Sequence, residues 1–155
     1  MRIAAFVMDP IDELNLKKDS TLAMIRAAQG RGWDIRYLEQ RDLFYRDERP
    51  WGFMRTLSLS DQFAQRLDPA VAGNDWYRLG VETAMPLDAC DVIFMRKDPP
   101  FDMEYIYSTY LLERVENAGV LVVNRPGSLR DCNEKFFATA FPQCGPPLVV
   151  SRRED

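Results

Sequence analysis

Histidine is absent from the 155 residues, and with it the side chain that most often trades protons near neutral pH; a Ser-His-Asp triad is excluded outright. Cysteine is scarce. Cys90, Cys132 and Cys144 are odd in number and contain no close pair, so neither a zinc site nor a C-x-x-C redox motif is on offer, and buried free thiols in a reducing cytoplasm are expected. No apolar run approaches the ~20 residues needed to span a bilayer, and Met1 to Asp9 is too short for a secretory leader. A basic excess is missing as well. The net charge is −4 and the isoelectric point about 5.0, which argues against a nucleic-acid partner, since such proteins present a cationic face to phosphate. Neither common Gly-rich phosphate loop occurs. Chemistry in this chain therefore rests on Lys, Arg and carboxylates.

What is present suits one folded domain. Apolar residues make up 46% and charged residues 28%, enough to offset ordering entropy around a single core. Ile3 to Met8 is a continuous apolar run closed by Asp9-Pro10, the pattern of a strand buried on both faces. Asp19 is placed to cap a helix running to about Arg31, with Leu22, Ile25 and Ala28 at helical spacing. Trp33 to Glu39 reads as a second strand. From Gln40 to Leu87 the periodicity weakens, and two extended stretches near 53–59 and 76–83 suggest a hairpin-like insertion. Asp91 to Met95 resumes as a buried strand. Asp102 then caps a helix whose apolar stripe is Met103, Ile106, Tyr107, Tyr110, Leu111 and Val115. Val120 to Val123 is a further strand, Ser128 with Asp131 resembles a capping box, and Leu148 to Val150 reads as a last strand. The alternation predicts an α/β fold: an open, mostly parallel sheet with right-handed crossovers and helices on both faces.

In such sheets ligands bind beyond the carboxyl ends of strands. The residues there are Asp9-Pro10, Arg96-Lys97-Asp98 and Asn124-Arg125-Pro126. Arg96 offers a planar fork for carboxylate or phosphate, Lys97 a compact charge, and Asp98 an acceptor for an amine. A solvated loop with an internal ion pair fits the spacing equally well. Lys17 and Lys18 precede a helix N-terminus that attracts anions, although paired surface lysines more often serve solubility. Lys135 looks by pattern alone like an exposed helical lysine. The tyrosines at 105, 107 and 110 and the tryptophans at 33, 51 and 76 read as packing residues.

Four segments together carry a resemblance: Val7-Met8-Asp9-Pro10-Ile11, Leu16-Lys17-Lys18-Asp19-Ser20-Thr21, Met95 through Asp102, and Val123 through Lys135. In order and spacing the chain closely resembles the amino-terminal region of bacterial glutathione synthetases, least so in the middle insertion. The resemblance implies a Rossmann-like pre-ATP-grasp domain over 1–132 and the start of an ATP-grasp region over 133–155. It implies a cytoplasmic, homo-oligomeric parent that uses ATP and Mg²⁺ to join γ-glutamylcysteine to glycine through an acyl phosphate. By the same resemblance Arg96 holds a substrate carboxylate, Lys97 and Asp98 shape that edge, and Lys135 reaches toward ATP. The second ATP lysine, the Mg²⁺ ligands and the Gly-rich flap belong to a carboxyl-terminal part expected to be missing, so no catalytic or metal residue is expected in this chain, nor activity or tight cofactor binding from it alone. Two alternatives stay open: another ATP-grasp carboxylate-amine ligase, disfavoured by Arg-Lys-Asp-Pro-Pro, and a non-enzymatic flavodoxin-like signalling domain, disfavoured because Asp9 has no acidic neighbour.

Overall fold

The computed structural model describes residues 1–66, 70, 75–132 and 136–153. Its centre is a parallel ribbon. β1 (Ile3–Val7) lies between β2 (Asp34–Leu38) and β7 (Val92–Met95), and β8 (Leu121–Val123) closes the order β2-β1-β7-β8. Successive side chains of a strand point to opposite faces. Phe6 and Met8 therefore enter one core with Leu22, Ile25 and Phe63, while Ala5 and Val7 enter a second with Ile93, Leu112 and Val115. Two buried faces explain the unbroken apolar run of β1.

α1 (Ser20–Gly30) covers the first face and α3 (Met103–Asn117) the second. Both start where the sequence places them. The Asp19 carboxylate accepts from the Thr21 amide at 2.6 Å and that of Asp102 from the Tyr105 amide at 2.9 Å, each satisfying an otherwise orphaned donor. Together with α2 (Asp61–Arg66) and α4 (Pro126–Asp131) they complete the α/β architecture.

The insertion is antiparallel. β3 (Leu43–Arg46), β4 (Arg49–Leu59), β5 (Tyr77–Leu79) and β6 (Thr83–Pro86) extend the sheet, among the described residues, to eight strands, and every antiparallel pairing described involves β4. β3 turns into β4 through Asp47 and Glu48, both at positive φ, the geometry that matches hairpin twist.

Several local expectations are corrected. α3 buries Tyr105, Ser108, Thr109, Leu112 and Val115, while Met103, Tyr107 and Tyr110 are exposed. α4 begins at Pro126, not Ser128, because proline's fixed φ suits the first helical position and its missing N–H costs nothing there. Leu148 to Val150 form no strand and are exposed; a strand needs a neighbour to satisfy its backbone groups. Only Cys90 is buried, with Cys132 and Cys144 exposed. Among the described residues no helix is long and apolar enough to cross a membrane.

Candidate functional site at the carboxyl edge of the sheet

The parallel ladder delivers two of the three expected clusters side by side. The Arg96 amide donates to the Val7 carbonyl at 2.7 Å, and the Met8 amide to the Leu38 carbonyl at 3.1 Å. Asp9 and the Arg96-Lys97-Asp98 segment thus leave the sheet as neighbours.

Asp9 ties that edge together. One carboxylate oxygen pairs with Lys97 Nζ at 2.7 Å, and the other accepts from the Asp98 amide at 2.8 Å. Lys97 Nζ also donates to the Asp98 carbonyl at 2.6 Å. The lysine charge is thereby neutralised by a local acid and held within the turn.

Arg96 behaves differently. Its guanidinium crosses to the start of α1, where Nη2 donates to Ser20 Oγ at 2.8 Å and Nε to Thr21 Oγ1 at 3.1 Å. Among the described residues no carboxylate pairs with it. A cation beside the positive end of a helix dipole is unfavourable on its own, so the two positive sources favour an anion at the same place. Hydroxyl acceptors orient the fork without cancelling its charge.

Tyr105 stands next to this pair. Burial raises its hydroxyl above the ordinary tyrosine range; the Arg96 charge pulls it back and the Asp98 carboxylate pushes it up. The phenol is therefore a neutral donor at physiological pH. Beyond Asp9 an open cleft of about 340 Å³ is lined by Asp9, Glu13, Asn15, Lys18, Asp19 and Asp98, a mainly acidic wall suited to an ammonium group.

The third cluster does not join. Arg125 is largely exposed and pairs with Glu116 at 3.3 Å. Lys18 lines the cleft, whereas Lys17 is held only through its amide, to Asn15 Oδ1 at 3.1 Å. Lys135 lies outside the described residues. Sequence reasoning missed Ser20 and Thr21 as partners of Arg96, and set Tyr105 aside as packing; the hydroxyl pair directly after a capping aspartate was the available signal for the former.

The described residues do not fit a magnesium site. No group of three or more of their carboxylates and thiols converges, and both oxygens of Asp9 are already engaged, whereas Mg²⁺ demands near-octahedral oxygen ligation.

Residues 1–130 match the family model for the prokaryotic glutathione synthetase N-terminal domain. The chain is 59% identical over 149 residues to a glutathione synthetase of Pseudomonas putida, 56% to that of Pseudomonas aeruginosa and 49% to that of Yersinia pestis. Each alignment covers 96% of this chain but 44% of the relative, so the chain spans less than half the length of these curated proteins. With the parallel core, the Asp9–Lys97 clasp and Arg96 all inside the matched segment, the chain belongs to the prokaryotic glutathione synthetase N-terminal domain family.

Proposed function

We propose that this chain is the substrate-binding portion of a ligase that condenses γ-glutamylcysteine with glycine, with Arg96 gripping a carboxylate of the dipeptide. ATP and Mg²⁺, held by the remainder of the parent, supply the activation of the cysteinyl carboxylate as an acyl phosphate. The glycine amine then displaces phosphate and loses a proton, giving glutathione, ADP and phosphate. Residues 133–155, with Lys135, begin the ATP-binding region in this reading.

The observation that carries it is the unneutralised guanidinium of Arg96 at the N-terminus of α1. A dipeptide bearing carboxylates and an ammonium group matches a site with a cationic fork beside an acidic cleft, Asp98 facing the amine. Lys97 acts through Asp9, positioning the turn rather than touching substrate. Binding one end of the dipeptide rigidly converts its other end into a near-unimolecular reactant.

The test uses the full-length parent. Arg96→Ala should raise KM for γ-glutamylcysteine by about 100-fold, the loss expected when a charged partner is removed from a carboxylate, while KM for ATP stays within about twofold. Arg96→Lys should recover only part of the loss, because one ammonium cannot replace the fork. A dipeptide KM unchanged in Arg96→Ala sinks the assignment.

A further inference from the structure

The antiparallel insertion reaches the cleft wall through one side chain. Tyr77 of β5 donates its hydroxyl hydrogen to Asp12 Oδ1 at 2.6 Å, across 65 residues of sequence. Asp12 sits in a single tight turn, Ile11–Glu13, within the loop between β1 and α1. Glu13, Leu14 and Asn15 of that loop form one wall of the acidic cleft, whereas Asp12 is not part of its lining. Tyr77 is fixed before it meets the loop. It pairs with Leu59 of β4, and the Ser60 amide donates to the Trp76 carbonyl at 2.8 Å. Its ring meets Trp76 edge to face at 4.6 Å, and Trp76 lies against the buried Phe63 at 5.0 Å. The loop is more lightly held. Ile11 is buried but Asp12, Glu13 and Asn15 are exposed, and the turn's backbone bonds stay within it, from the Glu13 amide to the Pro10 carbonyl at 2.9 Å and from the Leu14 amide to the Ile11 carbonyl at 3.5 Å. The bond to Asp12, with burial, pushes the Tyr77 phenol up to about 12, so it remains a donor throughout the physiological range.

We propose that Tyr77 is a positioning residue for the substrate: through Asp12 it sets the loop so that Glu13 and Asn15 face the ammonium end of the dipeptide. This rests on the reading of the cleft as the dipeptide site. A hydroxyl bound to a carboxylate is a charge-assisted pair, stronger than a neutral one. Here it joins a rigid strand to a turn with few other holds, so its loss frees the turn without opening the core. A wall that is already ordered spares the substrate the entropy of ordering it. That benefit is the same in the bound substrate and in the transition state, so it acts on KM and leaves kcat alone. The insertion is therefore a strut of the cleft, although none of its strands lines it.

In the full-length parent, Tyr77→Phe deletes one hydroxyl and keeps the ring on Trp76. KM for γ-glutamylcysteine should rise about tenfold, the scale of one charge-assisted hydrogen bond, with kcat and KM for ATP within about twofold. Asp12→Ala should match it. The double variant Tyr77→Phe with Asp12→Ala should be no worse than either single, since both changes break the same bond. Asp12→Asn, which keeps an acceptor without its charge, should fall between Asp12→Ala and the unaltered enzyme. Hydrogen exchange at the amides of residues 11–15 should quicken in Tyr77→Phe while β1 keeps its protection. Quickened exchange with an unchanged dipeptide KM overturns the proposal, because the bond then holds the loop but not the substrate. Additive losses in the double variant overturn it too, since the two residues would be acting separately. So does a fall in kcat that tracks lost thermal stability, the sign of a purely structural bond. Arg96→Ala separates this proposal from the reading beneath it. A dipeptide KM raised by Arg96→Ala but not by Tyr77→Phe removes the role of Tyr77 alone; a KM raised by neither removes the cleft as the dipeptide site, and the role of Tyr77 with it.

Discussion

Arg96 and Lys97 are adjacent cations at the end of one strand, and the fold gives them different surroundings. Lys97 is neutralised by Asp9; Arg96 rests on two hydroxyls and, among the described residues, has no carboxylate partner. No spacing rule separates them, because the partners lie 88 and 75 or more residues away. The caps at Asp19 and Asp102 were legible for the opposite reason: a capping carboxylate reaches only two or three residues along its own chain. Cysteine environment was legible only in part. Cys90 is part of the second core, and burial pushes its thiol up to about 12 from an ordinary 9.0. Iodoacetamide at pH 8 should therefore modify Cys132 and Cys144 within minutes and leave Cys90 intact until the chain unfolds, a pattern peptide mass mapping reads directly. The same burial sets a pH dependence. Below about pH 9 the thiol is neutral in both states and its contribution is complete. Above that the unfolded chain sheds a proton that folded Cys90 retains, so stability falls as pH rises toward 12, by about 1.4 kcal/mol per pH unit for this group. Urea midpoints between pH 8 and 11 should decline less steeply in Cys90→Ala; equal slopes would show that the thiol is not held neutral.

At the scale of elements, what could be read was whatever has one buried face or two. β1, buried on both, and α1, buried on one, were plain. β4 was not. It alternates within each half, but its even-numbered residues Pro50, Gly52 and Met54 are buried in the first half, and its odd-numbered residues Leu57 and Leu59 in the second. Met54 belongs to one core and Leu57 and Leu59 to the other, so no single apolar face shows in the sequence. α3 misled for a related reason. Two stripes interleave on it, and the more apolar one faces outward. The inward stripe tolerates Ser108 and Thr109 because each hydroxyl is satisfied by its own helix, donating to the Glu104 carbonyl at 2.9 Å and the Ile106 carbonyl at 2.6 Å, and such small residues let the helix lie close to the sheet. Leu112 is 0% and Met103 61% exposed. Leu112→Ala should cost about 3 kcal/mol in chemical denaturation, and Met103→Ala under about 0.5 kcal/mol. The reverse ranking would restore the stripe read from hydrophobicity.

At the scale of the whole molecule, the α/β class followed from the alternation of elements, whereas the fate of residues 136–150 did not. Leu148, Val149 and Val150 have the composition of a strand but no neighbour to pair with, and composition alone cannot supply one. The relatives are more than twice as long as the matched region, and in the proposed reading the remainder holds most of the nucleotide site. A triphosphate carries several charges, and Lys135 is the only cation assigned to it in this chain. A single lysine–phosphate contact in water contributes about 1 kcal/mol or less to such an attraction, and salt screens it further. Calorimetric titration of the chain with ATP and Mg²⁺ to about 1 mM should therefore give no saturable heat, a site of one weak contact lying beyond that range, while the full-length parent should saturate under the same conditions. Tight, stoichiometric binding by the chain alone would mean that residues 1–155 carry a complete nucleotide site, and would move the division of labour between the two portions of the parent.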